Sequence, residues 1–218
     1  MDSLPQIILI LAPVLLLLTT YFAFRQLVSR FGPRRGYLAG FLFYWIAWGF
    51  LLPLWLLGPQ GVARLYRLGF PILGNPAWLG ALLLIFPLLL GYGYAFPRAI
   101  RQATLQILLL SMAIAIINGA LEELLWRGAY IAAFPGQWFL GMIYPAIGFA
   151  IWHFAPQSVF PNKAPGGNLS LVVVAGIVGL MWGWVAMQIG SLLLVTLSHI
   201  LFDFSGLGGR IYLSPSKD

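Results

Sequence analysis

Seven apolar stretches, at roughly residues 5–24, 37–57, 78–96, 105–134, 138–154, 169–189 and 190–204, take up most of this chain. A membrane-spanning helix needs about 20 largely apolar residues, so the expected fold is all-α, a polytopic transmembrane helix bundle of about seven spans. Six to eight remain open, because the fourth stretch is long and the seventh is short and follows the sixth through Gly190. Only 8% of the residues are charged, against roughly 25% in soluble domains. The first stretch lacks a basic leader, carries Asp2 and ends without a small-residue cleavage site, and so reads as a retained span. No segment looks like a separate soluble domain. Residues 1–218 therefore read as a single integral membrane domain, with the polar motifs confined to about 105–204.

The net charge of +7 does not point to nucleic acid, because the basic residues are scattered singly or in pairs and form no basic face. Membrane topology accounts for them. Arg25, Arg30, Arg34, Arg35, Arg98, Arg101, Lys163, Arg210 and Lys217 fall on one set of connections, and Arg64 and Arg67 on the other. By the positive-inside rule the first set is cytoplasmic, the N-terminus external and the C-terminus cytoplasmic. The expected location is a prokaryotic plasma membrane. Cysteine is absent, which removes disulfides, thiolate nucleophiles and thiolate metal sites. Gly176, Gly179 and Gly183 lie near one face of the sixth stretch, where small residues let a neighbouring helix approach.

Asp2 and Asp218 sit at the termini, and the other acidic and histidine residues are Glu122, Glu123, His153, His199 and Asp203, all inside apolar stretches. Each such group costs roughly 2.5–3.5 kcal/mol at the bilayer centre unless paired or facing a water-filled cavity. Residues four apart on a helix nearly superpose, so Glu123 lies beneath Arg127 and His199 beneath Asp203. Glu122 is turned about 100° from Glu123, leaving one carboxylate for Arg127 and the other free. By their positions Glu122, His153 and His199 can meet in the inner half of the membrane. Such a cavity holds the parts to activate water and stabilise an oxyanion, and equally a two-His, one-carboxylate metal site.

Plainer roles compete for each residue. Glu123 with Arg127 reads as a structural ion pair, either histidine alone as a helix-contact residue, Asp203 as the group holding the His199 tautomer, and Phe149 as packing or lipid-facing filler. A proton-coupled transporter would use Glu122, His153 and His199 as a relay, but such proteins have pseudo-symmetric halves. A catalytically silent scaffold or immunity protein would use all five groups as interhelical glue.

The residues Glu122, Glu123 and Arg127 fit an EExxxR motif, Phe149 to His153 fit FxxxH, and His199 to Asp203 fit HxxxN/D, in that order on the fourth, fifth and seventh stretches. This pattern resembles the CAAX protease and bacteriocin-processing (CPBP, or Abi) family of intramembrane proteases, often labelled metalloproteases. The resemblance implies a peptidase opening toward the cytoplasm that acts on a membrane-associated protein or peptide within the lipid bilayer. It implies Glu122 as the general base, His153 as a water holder, His199 with residue 203 as oxyanion stabilisers, and Glu123 with Arg127 as ordering groups. The prenyl-protein branch carries Asn at the last position, whereas this chain has Asp203, and an ionised Asp cannot donate a hydrogen bond. Either no cofactor is required or a divalent metal such as zinc is held by Glu122, His153 and His199. The family spans prenylated C-termini, bacteriocin maturation or self-immunity, and processing of surface proteins as substrates.

Overall fold

The computed structural model describes residues 4–213; Asp2, Lys217 and Asp218 lie outside the described residues. Seven main helices follow in order: α1 (Leu4–Phe31), α2 (Pro33–Leu65), α3 (Ala77–Gln102), α4 (Leu105–Ala133), α5 (Phe139–Gln157), α6 (Gly167–Ile189) and α7 (Leu193–Ser205). Among the described residues there is no strand. The first six helices are long and apolar enough to cross a membrane, which makes the chain an integral membrane protein.

The seventh stretch forms a helix but falls short of a full span. Its 13 residues rise about 20 Å at 1.5 Å each, against a hydrocarbon core of about 30 Å. Hydropathy does not register the turn that shortens it. α6 stops at Gly190, whose φ of 62° suits glycine, and the chain is then tied to the end of α2, with Leu192 N donating to Leu65 O at 2.7 Å. The first three helices instead outrun their apolar stretches. Arg25, Arg30, Arg34, Arg35, Arg98 and Arg101 therefore sit on helix ends rather than in loops. A helix that has closed its backbone hydrogen bonds in lipid has no reason to unwind at the headgroups.

Inside lipid the hydrophobic effect does not choose which face of an apolar helix turns inward; close packing does. On α6, Leu169, Val173, Ile177 and Leu180 point outward while Ala175, Gly179, Trp182, Gly183 and Ala186 are buried. A Cβ on Gly179 would stand 3.3 Å from Phe149 Cδ1, and one on Gly183 would stand 2.9 Å from Met142 Cγ. These glycines let α6 lie close against α5. Gly119 does the same for α4 and α7, since a Cβ there would be 2.9 Å from Ile200 Cγ1. The α4–α7 approach brings the two most polar segments of the chain together.

Candidate active site

α4 carries four of the polar groups. Asn118 and Glu122 are four residues apart on one face, and Asn118 Nδ2 donates to Glu122 Oε2 at 3.1 Å. Glu123 is directed elsewhere. Its Oε1 lies 2.9 Å from Arg127 Nη1, with both side chains buried. The helix widens into a π-helical stretch from Leu124 to Ala129, a feature common beside functional sites, yet the pair survives it. The contact lacks hydrogen-bond alignment at Nη1, so charge and two aromatic faces hold the guanidinium. Its Cζ sits 4.6 Å from the Phe149 ring centroid and 5.6 Å from that of Trp182.

α7 supplies His199, which is 3% exposed and stacks on Trp182 with ring centroids 4.3 Å apart. Its Nδ1 lies 2.8 Å from Glu123 Oε1. Because that carboxylate is paired with Arg127, it accepts and Nδ1–H donates. The other ring nitrogen, Nε2, faces Glu122 Oε2 at 3.4 Å and Asp203 Oδ1 at 3.5 Å. At least one proton must lie among these three atoms, since otherwise only lone pairs would face one another. Thus Glu123, and not Asp203, takes the Nδ1–H that selects the His199 tautomer.

Glu122 is not partnerless, although Arg127 is occupied by its neighbour. Tyr44 of α2 donates to Glu122 Oε1 at 3.2 Å, and Trp126 Nε1 donates to the Tyr44 oxygen at 2.9 Å. Trp45 Nε1 donates to Asn118 Oδ1 at 2.8 Å. An indole N–H can only donate, so this contact sets the amide orientation and turns Nδ2 toward the carboxylates. The second Nδ2 contact reaches Asp203 Oδ2 at 2.8 Å.

His153, near the end of α5, is half-buried, with Nδ1 2.8 Å from Phe149 O. A carbonyl only accepts, so Nδ1 carries hydrogen and Nε2 is the ring's remaining polar atom. His153 does not join the Glu122–His199 cluster by a hydrogen bond of its own. It lines the same cavity, of about 660 Å³, as Asn118, Glu122 and Asp203. Tyr37, Trp45 and Trp152 give that cavity aromatic walls, and Lys163 lies at its loop end. Phe149 is buried against His153 and Arg127. It is therefore interior packing, and the lipid-facing alternative does not hold.

Among the described residues no three His, Asp or Glu side chains are placed to hold one metal ion. Glu122 Oε2 and Asp203 Oδ1 are aimed at His199 Nε2 itself.

Several site residues escape sequence reasoning. Asn118 had a signal, a polar side chain one helical turn before Glu122. Tyr44, Trp45, Trp126 and Trp182 had none, because aromatics in apolar helices usually serve as packing.

Residues 104–205 match the family model described as type II CAAX prenyl endopeptidase, Rce1-like, which runs from the cap of α4 to the end of α7. No curated protein and no solved structure matches the chain.

Proposed function

We propose, from the match of residues 104–205 to the type II CAAX prenyl endopeptidase, Rce1-like family model, that the chain is a protease of the CAAX type, hydrolysing a peptide bond of a membrane-associated substrate with water activated by Glu122. The observation that carries this reading is that Glu122 and Asp203 line the same cavity as His153 while both face Nε2 of the buried His199 behind it. A cavity of about 660 Å³ falls within the roughly 300–1,000 Å³ range of ligand sites. Its aromatic walls suit an apolar or lipid-modified segment. Lys163, which lines the cavity, falls on the connections that the positive-inside rule assigns to the cytoplasm, which supports an opening on that side.

Glu122 takes a proton from water as the water oxygen attacks the scissile carbonyl carbon. The carbonyl π electrons move to oxygen, and a proton held at His199 Nε2 stabilises that oxyanion. When the intermediate collapses, the C–N bond breaks and the leaving nitrogen takes the proton from Glu122. Glu123, paired with Arg127, accepts His199 Nδ1–H and so keeps Nε2 directed at Glu122 and Asp203. His153, with Nδ1–H engaged by Phe149 O, presents Nε2 as an acceptor for the attacking water.

The test is cleavage by the purified full chain in lipid nanodiscs. The probes are a quenched farnesylated peptide with three residues after the modified cysteine, and a transmembrane-anchored peptide without the prenyl group. Glu122→Gln is expected to lower turnover by about 100- to 10,000-fold, the usual contribution of a general base, and a chelator is expected to leave wild-type turnover unchanged. Wild-type turnover by Glu122→Gln would overturn the base assignment. Chelator loss restored by zinc would overturn the metal-free route.

A further inference from the structure

Asn118 belongs to none of the motifs, yet its side-chain amide donates hydrogen bonds to both Glu122 and Asp203. The Oδ1 atom accepts from Trp45 Nε1 at 2.8 Å, and Nδ2 donates to Glu122 Oε2 at 3.1 Å and to Asp203 Oδ2 at 2.8 Å. All three polar contacts come from different helices or turns: Trp45 from α2, Glu122 from the next turn of α4, and Asp203 from α7. An NH₂ group has two hydrogens, so both are engaged by the carboxylates. The amide cannot flip without placing Nδ2 against the Trp45 donor and Oδ1 against two acceptors.

We propose that Asn118 is a positioning residue, an amide clamp locked by Trp45 that holds Glu122 and Asp203 at a set separation around His199. This rests on the hydrolytic role given above to Glu122. Two carboxyl groups on separate helices, each within 3.5 Å of one imidazole nitrogen, repel when both are ionised, and a shared donor between them offsets that repulsion. The amide directs one lone pair of Glu122 Oε2 and Tyr44 one of Oε1, which fixes the carboxylate plane and leaves its second Oε1 lone pair for water.

The inference separates from a general packing role by a split between kcat and KM and by a charge exchange. Asn118→Leu keeps a side chain of similar bulk but removes both donors. Misplacing a reacting group by about 1 Å costs on the order of 100-fold, so kcat is expected to fall about 10- to 100-fold while KM stays within about threefold. Asn118→Asp places three carboxyls together and is expected to be worse. Asn118→Asp combined with Asp203→Asn restores the wild-type inventory of one amide and two carboxyls, with the Trp45 contact still satisfied, and is expected to turn over at least about 10-fold faster than Asn118→Asp alone.

The measurement uses the full chain in nanodiscs with the quenched farnesylated peptide and Glu122→Gln as blank, and the same samples are melted. Wild-type kcat in Asn118→Leu, or no recovery in the exchange variant, overturns the clamp. If wild type itself cleaves nothing, the protease reading fails for that probe while the clamp is still decided by melting. The exchange variant must then unfold at a higher temperature than Asn118→Asp, and equal or lower melting overturns it.

Discussion

Replacing Arg127 with Met removes the single guanidinium from the centre of the helix bundle while keeping an unbranched apolar stem between Phe149 and Trp182. Arg127 is 2% exposed and Glu123 is fully buried, 2.9 Å away. Removing one member of such a pair leaves an uncompensated buried charge, at about 3–5 kcal/mol. Contact with two aromatic rings adds about 0.5–2 kcal/mol. His199 Nδ1–H still donates to Glu123, which places the net loss near the lower end, about 3 kcal/mol. For a chain of this length each kcal/mol moves the melting temperature by roughly 2–4 °C, so a drop of roughly 6–12 °C is expected. Intrinsic tryptophan fluorescence in detergent micelles is the suitable assay, since the chain has 9 tryptophans and no cysteine for thiol dyes. Arg127→Met with Glu123→Gln removes both charges and is expected to melt above Arg127→Met alone, because replacing a whole buried pair is far less damaging than breaking it. Two results refute the reasoning: Arg127→Met melting within about 2 °C of wild type, or a double variant whose loss equals the sum of the single losses.

Gly119→Val is expected to part α4 from α7, because its Cβ would lie 2.9 Å from Ile200 Cγ1 and 3.1 Å from Ile200 N, and backbone cannot yield as a side chain can. Cleavage should fall at least about 10-fold as the Glu123–His199 contact opens, whereas Gly93→Ala, which meets nothing within 4 Å, should match wild type in the same assay. Asp203→Asn is expected to retain turnover within about 10-fold, since the amide oxygen still accepts from Asn118 and the new N–H₂ can donate to an oxyanion. A loss as deep as that of Glu122→Gln would show that the Asp203 charge is required.

Local helix geometry makes part of the site legible in the chain itself. The Glu123–Arg127 pairing follows from a four-residue spacing, and the division between Glu122 and Glu123 follows from the 100° turn between neighbours. The expense of charge in hydrocarbon marks Glu122, Glu123, His153, His199 and Asp203 as a group. The same rule that exposes them hides their aromatic partners, since Tyr44, Trp45 and Trp182 raise no cost in an apolar helix. Hydropathy likewise counts seven stretches but cannot see that the last is a shorter helix tied by Leu192 to Leu65.

The amino-acid sequence by itself determined that this protein lives in a membrane, that it is helical, and which few side chains had to find partners there, because burial without partners is prohibitive in lipid. Tertiary structure alone decided who those partners are. It joined Glu123 to His199 across 76 positions, set Asn118 between Glu122 and Asp203, and left His153 bonded to its own helix at Phe149. Periodicity relates residues within one helix, but the rotation of an apolar helix against its neighbour has no hydrophobic contrast to guide it. Small residues such as Gly119 and Gly179 set that rotation by letting one surface fit another, a property of two helices together that neither segment carries alone.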